Sequence, residues 1–472
     1  MSPARLAAAL VVAAFAAPVA AAADRPNIVY LLADDLGNAD VGWRGGDAKT
    51  PRLDKLAEGG AKLDQFYVLP LCSPTRAALL TGRYPIRYGL QLSVVRPWAS
   101  YGLPVDERTL PQALKEAGYQ TAVCGKWHLG HNDPKYLPTR RGFDRQYGCF
   151  NGAIDYFTHK RGDGLDWHRD DKALEEDGYA TDLIGREAAR LVRGRDKAKP
   201  LFLYVPFTAP HDPHQVPDDY KKPYARFPEP RRSYLGMVAA MDDAVGRVVD
   251  ALDAEGIRGD TLILFCSDNG GNAPGKVSDN GKLRAGKGTL YEGGVRVPAI
   301  ANWPGKVRPG TVVDQPVHVT DWYPTLLKLG GAKLDQPLPL DGHDVWPVIS
   351  DGRKSPRQEV LLNTTPAAGA IRVGDWKLVL NGARAQKEAG GAEQAPAKAA
   401  ALPPEKMGPE STELFDLAAD PGEQTNLAAK HPDKVAELKA KLAGYAKAAA
   451  PPRYEGAPAP GFKPPKVWGQ PD

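Results

Sequence analysis

Four short runs of this chain are apolar on both faces, and each stops abruptly in polar residues. They are 27–32, 121–124, 201–207 and 261–266. A strand with one wet face alternates apolar and polar side chains. A run that does not alternate is covered on both sides, which is the habit of parallel strands flanked by helices. Segments of helical period at 50–60, 110–118, 181–192 and 234–254 supply the covering layers. The pattern predicts an α/β fold, with a large mixed and mostly parallel sheet flanked by helices. In such sheets ligands bind beyond the carboxyl ends of the strands. Those ends therefore carry the functional argument.

The four ends read Asp34-Asp35, Lys126 and His128, His211, and Asp268-Asn269. In an extended segment residues two apart share a face, so Lys126 and His128 are expected to point into one site. Three carboxylates and an amide oxygen are hard ligands that suit Ca²⁺ or Mg²⁺. No Cys/His spacing of the zinc type occurs. A divalent cation flanked by Lys, Arg and His suits a tetrahedral oxyanion, and sulfate and phosphate monoesters both fit. A glycine-rich loop after 268–269 adds Lys287, just before Glu292-Gly293-Gly294.

The stretch 70–83 adds a reactive group. Cys72 stands before Pro74, which is tolerated in a first helical turn. Ala77 to Leu80 continue a short helix that Gly82 ends. Cys72 then lies at a helix N-terminus, which favours negative charge, and Arg76 follows one turn later on the same side. The string Cys-x-Pro-x-Arg followed by Leu-Thr-Gly resembles the signature of the type I sulfatases of the alkaline phosphatase superfamily. Thr75 stands where the commonest form of that signature has Ser. The resemblance extends over Asp34-Asp35, Gly125 to His128, His211, Asp268-Asn269 and Lys287. The phrases at 103–107 and 137–144 look most similar to the arylsulfatase B branch, which acts on sulfated N-acetylgalactosamine.

The resemblance implies a sulfuric ester hydrolase acting on a sulfated sugar or glycan. It implies that a maturation enzyme converts Cys72 to formylglycine, whose hydrated aldehyde attacks sulfur. Asp34, Asp35, Asp268, Asn269 and position 72 are then the calcium ligands. Arg76 holds the diol, Lys126, Lys287 and His211 neutralise the sulfate, and His211 or Lys287 protonates the leaving alcohol. His128 takes the proton that lets sulfate depart. A phosphate or phosphonate ester hydrolase, and an inactive glycan-binding homologue, are the competing readings. Arg96, Trp98, His131, Arg140, Arg141, Asp155 and His159 are loop residues expected on the substrate side.

The totals agree with an enzyme of this kind. A net charge of +4 over 472 residues gives no basic stripe of the sort a nucleic-acid binder carries. Residues 1–23 read as an export signal: Arg5, an apolar core over 6–17, then an alanine-rich cleavage region. They predict a periplasmic or secreted protein, with no membrane attachment once the signal is removed. Of four cysteines, Cys124 and Cys266 sit in apolar runs and are expected as buried thiols, which leaves room for one disulfide at most. The catalytic part is expected over 24–354 and a smaller antiparallel subdomain with a helix over 355–448. An Ala/Glu/Lys/Pro-rich insertion at 383–409 is expected to be disordered, and a Pro-rich tail over 449–472 to lie on the surface.

Overall fold

The computed structural model describes residues 25–364, 368–382, 411–458 and 460–470. The export-signal reading and the inserted segment 383–409 lie outside the described residues. The large sheet has ten strands: β1 (Asn27–Ala33), β2 (Ala61–Leu63), β3 (Gln120–Cys124), β4 (Arg145–Gly148), β5 (His168–Arg169), β6 (Lys172–Ala173), β7 (Leu201–Pro206), β8 (Thr261–Ser267), β9 (Ala299–Asn302) and β10 (Thr311–Val313). Their spatial order is β10-β2-β9-β8-β1-β7-β3-β4-β5-β6. The central five, β8 to β4, are all parallel, and antiparallel pairs flank them on both sides.

The seven residues of β1 are all buried, for a simple reason. Ile28, Tyr30 and Leu32 face one core, together with α2 (Cys72–Thr81), α3 (Leu110–Glu116) and α6 (Trp322–Leu329). Val29, Leu31 and Ala33 face a second core, shared with α1 (Pro51–Glu58), α4 (Ala180–Arg193) and α5 (Arg231–Ala254). Two helix layers explain the missing alternation.

The start of α1 is capped from a distance. Thr50 precedes Pro51, but its hydroxyl does not cap α1; it accepts from Gly42 N–H and donates to Asp54. The orphan N–H groups of Arg52 and Leu53 donate instead to Asp242 on α5, at 2.9 and 2.8 Å. A carboxylate 190 residues away does the work a local cap usually does. All four cysteines are buried and free, so the one disulfide the count allowed is not formed. No helix among the described residues is long and apolar enough to cross a membrane.

A second sheet packs beside the first: β11 (Glu359–Thr364), β12 (Gly369–Val373), β13 (Trp376–Leu380) and β14 (Thr412–Asp416), antiparallel in chain order, with α7 (Pro432–Lys447) on it. Its strongest tie to the large sheet's loops is ionic. Lys377 on β13 is fully buried and lies 2.9 Å from Glu292 and 2.8 Å from Glu423. Burial raises both carboxyls, but Lys377 and two arginines outweigh it at Glu292 and hold that group below its usual range. At Glu423 burial wins, and the group is pushed up to about 7. Lys377→Ala strands two buried acids, and we expect a loss of about 3 kcal/mol, read from urea unfolding midpoints. A surface-like loss below about 1 kcal/mol would show that the acids find other partners.

Candidate active site and metal centre

The order β8-β1-β7-β3 sets the site. These four strands are adjacent and parallel, so the segments that leave them emerge along one edge. Asp268-Asn269, Asp34-Asp35, His211 and Lys126/His128 follow in that spatial order. Helix α2 delivers Cys72 and Arg76 to the same edge, and Gly82 ends it in the left-handed conformation (φ 68°).

Side chains distant in sequence meet here. The Cys72 sulfur lies 3.4 Å from Asn269 Oδ1 and 3.6 Å from Asp34 Oδ1. Asn269 Nδ2 donates to Asp35 Oδ1 at 2.7 Å, and Asp35 N–H points to Asp268 Oδ1 at 3.4 Å. Arg76 donates to Asp268 through Nε (3.1 Å) and Nη2 (2.8 Å), lies 3.3 Å from Asp34, and donates to the Lys126 carbonyl at 2.8 Å. Lys126 Nζ is 2.6 Å from Asp34, and Lys287 Nζ is 2.9 Å from Asp35. His211 Nε2 is 3.7 Å from Asp35. Its Nδ1 faces the Asp212 carbonyl at 2.6 Å, an acceptor that favours a proton on Nδ1 and leaves Nε2 toward the acids.

The path to Lys126 and His128 differs from an extended strand. Gly125 has φ 132° and His128 φ 59°, so the backbone turns twice and the alternation argument does not apply. Gly125 is required on space as well: a Cβ there would sit 1.9 Å from the Pro206 carbonyl oxygen. Asp35 is also left-handed (φ 62°), and Tyr234 on α5 steadies that turn, its hydroxyl proton shared between Asp40 Oδ2 at 2.9 Å and the Asp35 carbonyl at 3.2 Å. A non-glycine residue in this region signals backbone held in place for a purpose.

The site crowds three buried acids against three cations, Arg76, Lys126 and Lys287. Burial, and then the neighbouring Asp34, raise Asp268 above its usual range despite Arg76, Lys126 and Lys287. Burial, and then Asp268, push the Cys72 thiol well up. The helix N-terminus therefore does not make Cys72 a thiolate, and as a neutral thiol it is a weak nucleophile. Ligand atoms of Asp34, Asp35, Cys72 and His211 all lie within 4.8 Å of one another. Asp268 and Asn269 border that cluster through Asp35 and Cys72. Hard oxygen donors packed this closely, around an acid whose pKa is raised by burial and then by its neighbour, fit a divalent cation such as Ca²⁺ or Mg²⁺.

Several loop residues of the substrate-side group have structural partners instead. Arg141 is buried and donates to the carbonyls of Pro104 and Glu107. Asp155 accepts the N–H groups of Phe157 and Thr158 and the amide of Gln215. His159 is buried, stacks on Trp167 and faces the Gly178 carbonyl. Arg140 borders a shallow cavity of about 440 Å³ with Lys135 and Gln112. Sequence reasoning missed the supports: Tyr234, Asp212, and Ser73, whose hydroxyl donates to the His128 carbonyl at 2.8 Å. It also missed Asp166, which accepts the N–H groups of Phe150 and Asn151 beside that turn. None of these four stands in a string that marks its role.

Comparison with known proteins finds relatives over most of the chain. The model of the family described as Sulfatase matches residues 26–332. The mouse (Mus musculus) protein arylsulfatase J is 38% identical over 479 residues, covering 92% of this chain and 78% of its own. Mouse N-acetylgalactosamine-6-sulfatase is 35% identical over 373 residues, covering 74% of this chain and 71% of its own. Among solved structures, Ps i-CgsB in complex with k-i-k-neocarrahexaose superposes with a TM-score of 0.80 at 32% identity, covering 91% of this chain and 94% of that one.

Proposed function

Because this chain belongs to the sulfatase family and is a sulfatase enzyme, we propose that it removes sulfate from a sulfated galactose-type sugar or glycan, after conversion of Cys72 to formylglycine. The observation that carries this is the convergence at Cys72. A buried, protonated thiol sits among three acids, two lysines and an arginine, and as a thiol it has no chemistry to do there. Two relatives favour a galactose-type sugar: one is named for N-acetylgalactosamine 6-sulfate, and one was captured with a carrahexaose. We rank N-acetylgalactosamine 4-sulfate first as substrate and the 6-sulfate second. The 103–107 and 137–144 phrases bear less on that ranking than their likeness implies, since Glu107 pairs with Arg83 and Asp144 binds Thr121, both scaffold roles.

The chain's own residues divide the work. Formylglycine at position 72, hydrated, would supply one hydroxyl to attack sulfur and a second whose deprotonation releases sulfate. A Ca²⁺ or Mg²⁺ held by Asp34, Asp35, Asp268, Asn269 and position 72 would neutralise sulfate oxygens and favour ionisation of the attacking hydroxyl. Lys126 and Lys287 add positive charge at the acids' outer edges, where sulfate oxygens would lie. His211 would act as an imidazolium: Nδ1–H stays on the Asp212 carbonyl and the second proton, on Nε2, goes to the departing alcohol. His128 serves as base for the second hydroxyl. Arg76 fixes Asp34, Asp268 and the Lys126 carbonyl in one frame.

Release of sulfate from 4- and 6-sulfated N-acetylgalactosamine, compared with phosphate release from the matching phosphate esters, tests the reading. Preference for phosphate esters would overturn it. Chelation gives a second test. Extensive dialysis against EDTA should abolish turnover and lower thermal stability, and Ca²⁺ at about 100 times its Kd should restore about 2.7 kcal/mol. Full activity after complete metal removal would refute the cation's role. The export reading of residues 1–23 adds that the enzyme works outside the cytoplasm. N-terminal sequencing of protein from the periplasm or medium should then find the chain starting near Asp24.

A further inference from the structure

After α7 the chain does not trail away. It returns across the catalytic domain as a strap and is anchored at both ends. Ala450 N–H donates to the Ile86 carbonyl and Arg453 N–H to the Gly89 carbonyl, both at 2.7 Å. Trp98 Nε1 donates to the Gly456 carbonyl at 2.9 Å, and Glu455 accepts Ser100 N–H at 2.9 Å. At the far end Leu165 N–H donates to the Lys466 carbonyl, Trp468 N–H to the Leu165 carbonyl and Trp468 Nε1 to the Arg161 carbonyl, each at 2.9 Å.

Between the anchors runs a chain of rings. The Arg96 guanidinium lies 5.6 Å from Trp98 and 5.7 Å from Tyr454. Trp98 meets Phe462 at 6.2 Å, Phe462 meets Trp468 at 6.4 Å, and Trp468 meets His131 at 5.5 Å. Both ends of this chain lie within three residues, along the backbone, of segments that touch the catalytic ones. Val94, two residues before Arg96, packs on Cys72. Ser73 Oγ accepts Val95 N–H at 3.0 Å and donates to the His128 carbonyl, three residues before His131. Phe462 remains 41% exposed, and Lys463 and Lys466 are exposed on the same strap. Anchoring alone does not require an exposed ring followed by two exposed lysines. A sulfated sugar chain offers the complement to both: apolar pyranose faces for the rings and repeated negative charge for the lysines.

We propose that this strap, with Trp98 and Arg96, is a second binding site that holds the sugar units next to the one being desulfated. Phe462 and Trp98 stack on pyranose faces, Lys463 and Lys466 read neighbouring sulfates, and the buried Arg96 braces the rings from below. The occupant is a sulfated oligosaccharide, so the proposal rests on the sulfatase reading above.

The test compares the matured full chain with an F462A/K463A/K466A variant, whose three side chains make none of the hydrogen bonds that anchor the strap. Substrates are 4-nitrophenyl sulfate and sulfated tetrasaccharides from chondroitin 4-sulfate and from κ-carrageenan. The variant's preference for tetrasaccharide over 4-nitrophenyl sulfate, as a ratio of kcat/KM, should fall about tenfold, chiefly through KM. An unchanged ratio overturns the proposal. Should no substrate turn over, the sulfatase reading fails, and calorimetric titration of both tetrasaccharides into the Cys72→Ala protein still judges the strap. Binding that weakens about tenfold when the three strap changes are added supports it. Binding that is absent, or indifferent to them, overturns it.

Discussion

Cys72→Ala should abolish sulfate release, a loss on the order of 10⁴-fold or more, because the group that attacks sulfur is gone. The fold should survive. Cys72 is fully buried but small, and its sulfur makes only long contacts to Asn269 and Asp34, so about 1 kcal/mol of stability is at stake. Cys72→Ser is the sharper control. Serine keeps a nucleophilic atom in place yet cannot form a geminal diol, so it should stall at the release of sulfate. Mass spectrometry of the peptide spanning residue 72 belongs beside both assays. The aldehyde form should appear only in wild-type protein made with the maturing enzyme. Activity in a sample whose Cys72 is wholly unmodified would refute the proposed chemistry. Thr75 is relevant to that sample. Its hydroxyl accepts Leu69 N–H at 3.0 Å and donates to the Leu69 carbonyl at 3.1 Å, a pairing that serine can also make. The hydrogen bonding thus makes no demand for threonine over the commoner serine.

The parts of this molecule that were legible in the sequence share one property: a local pattern with a physical cause. β1 reads as buried because both helix layers cover it, and Asp34-Asp35 reads as a strand end because charge cannot continue into that core. α2 reads correctly because Cys72, Pro74 and Gly82 each suit one helix position. What stayed hidden depends on partners far apart in the chain. Tyr234 and Asp35 are 199 residues apart, and Lys377 and Glu292 are 85 apart. An ordinary tyrosine on an ordinary helix gives no sign that it steadies a left-handed aspartate. The strap is the extreme case. Proline and glycine erase periodicity, so residues 450–470 read only as a surface tail, and the buried Trp468 was the one residue whose chemistry argued for a docked segment. The aromatic stretch 147–168 carries no such local signal either way. Tyr147, Trp167 and His159 could have walled a cleft, but they pack on one another.

Arg76→Ala should cost more stability than any other single change in the site. The guanidinium is fully buried, and it offers a fork to Asp268, a contact to Asp34 and a hydrogen bond to the Lys126 carbonyl. Burial alone would lower its pKa, but Asp268, Tyr204 and Asp34 more than reverse that, and the group is firmly cationic. Truncation leaves two buried carboxylates facing each other with less compensation, in a place where Asp268 is already raised by Asp34. Breaking a buried pair from one side costs about 3–5 kcal/mol. Arg76→Lys should fall between, since an ammonium restores the charge but not the planar fork. The cation site makes this prediction discriminating. Arg76 and a divalent ion neutralise the same acids, so Ca²⁺ should rescue the alanine variant more than it stabilises wild type, and EDTA should widen the gap. Thermal unfolding of both proteins with EDTA and with Ca²⁺ reads this directly. If Arg76→Ala and wild type unfold together in EDTA, the acids are not held by Arg76 and the site's frame lies elsewhere. If the gap is wide but indifferent to Ca²⁺, Arg76 matters for packing, and the acids around Cys72 do not form the metal centre.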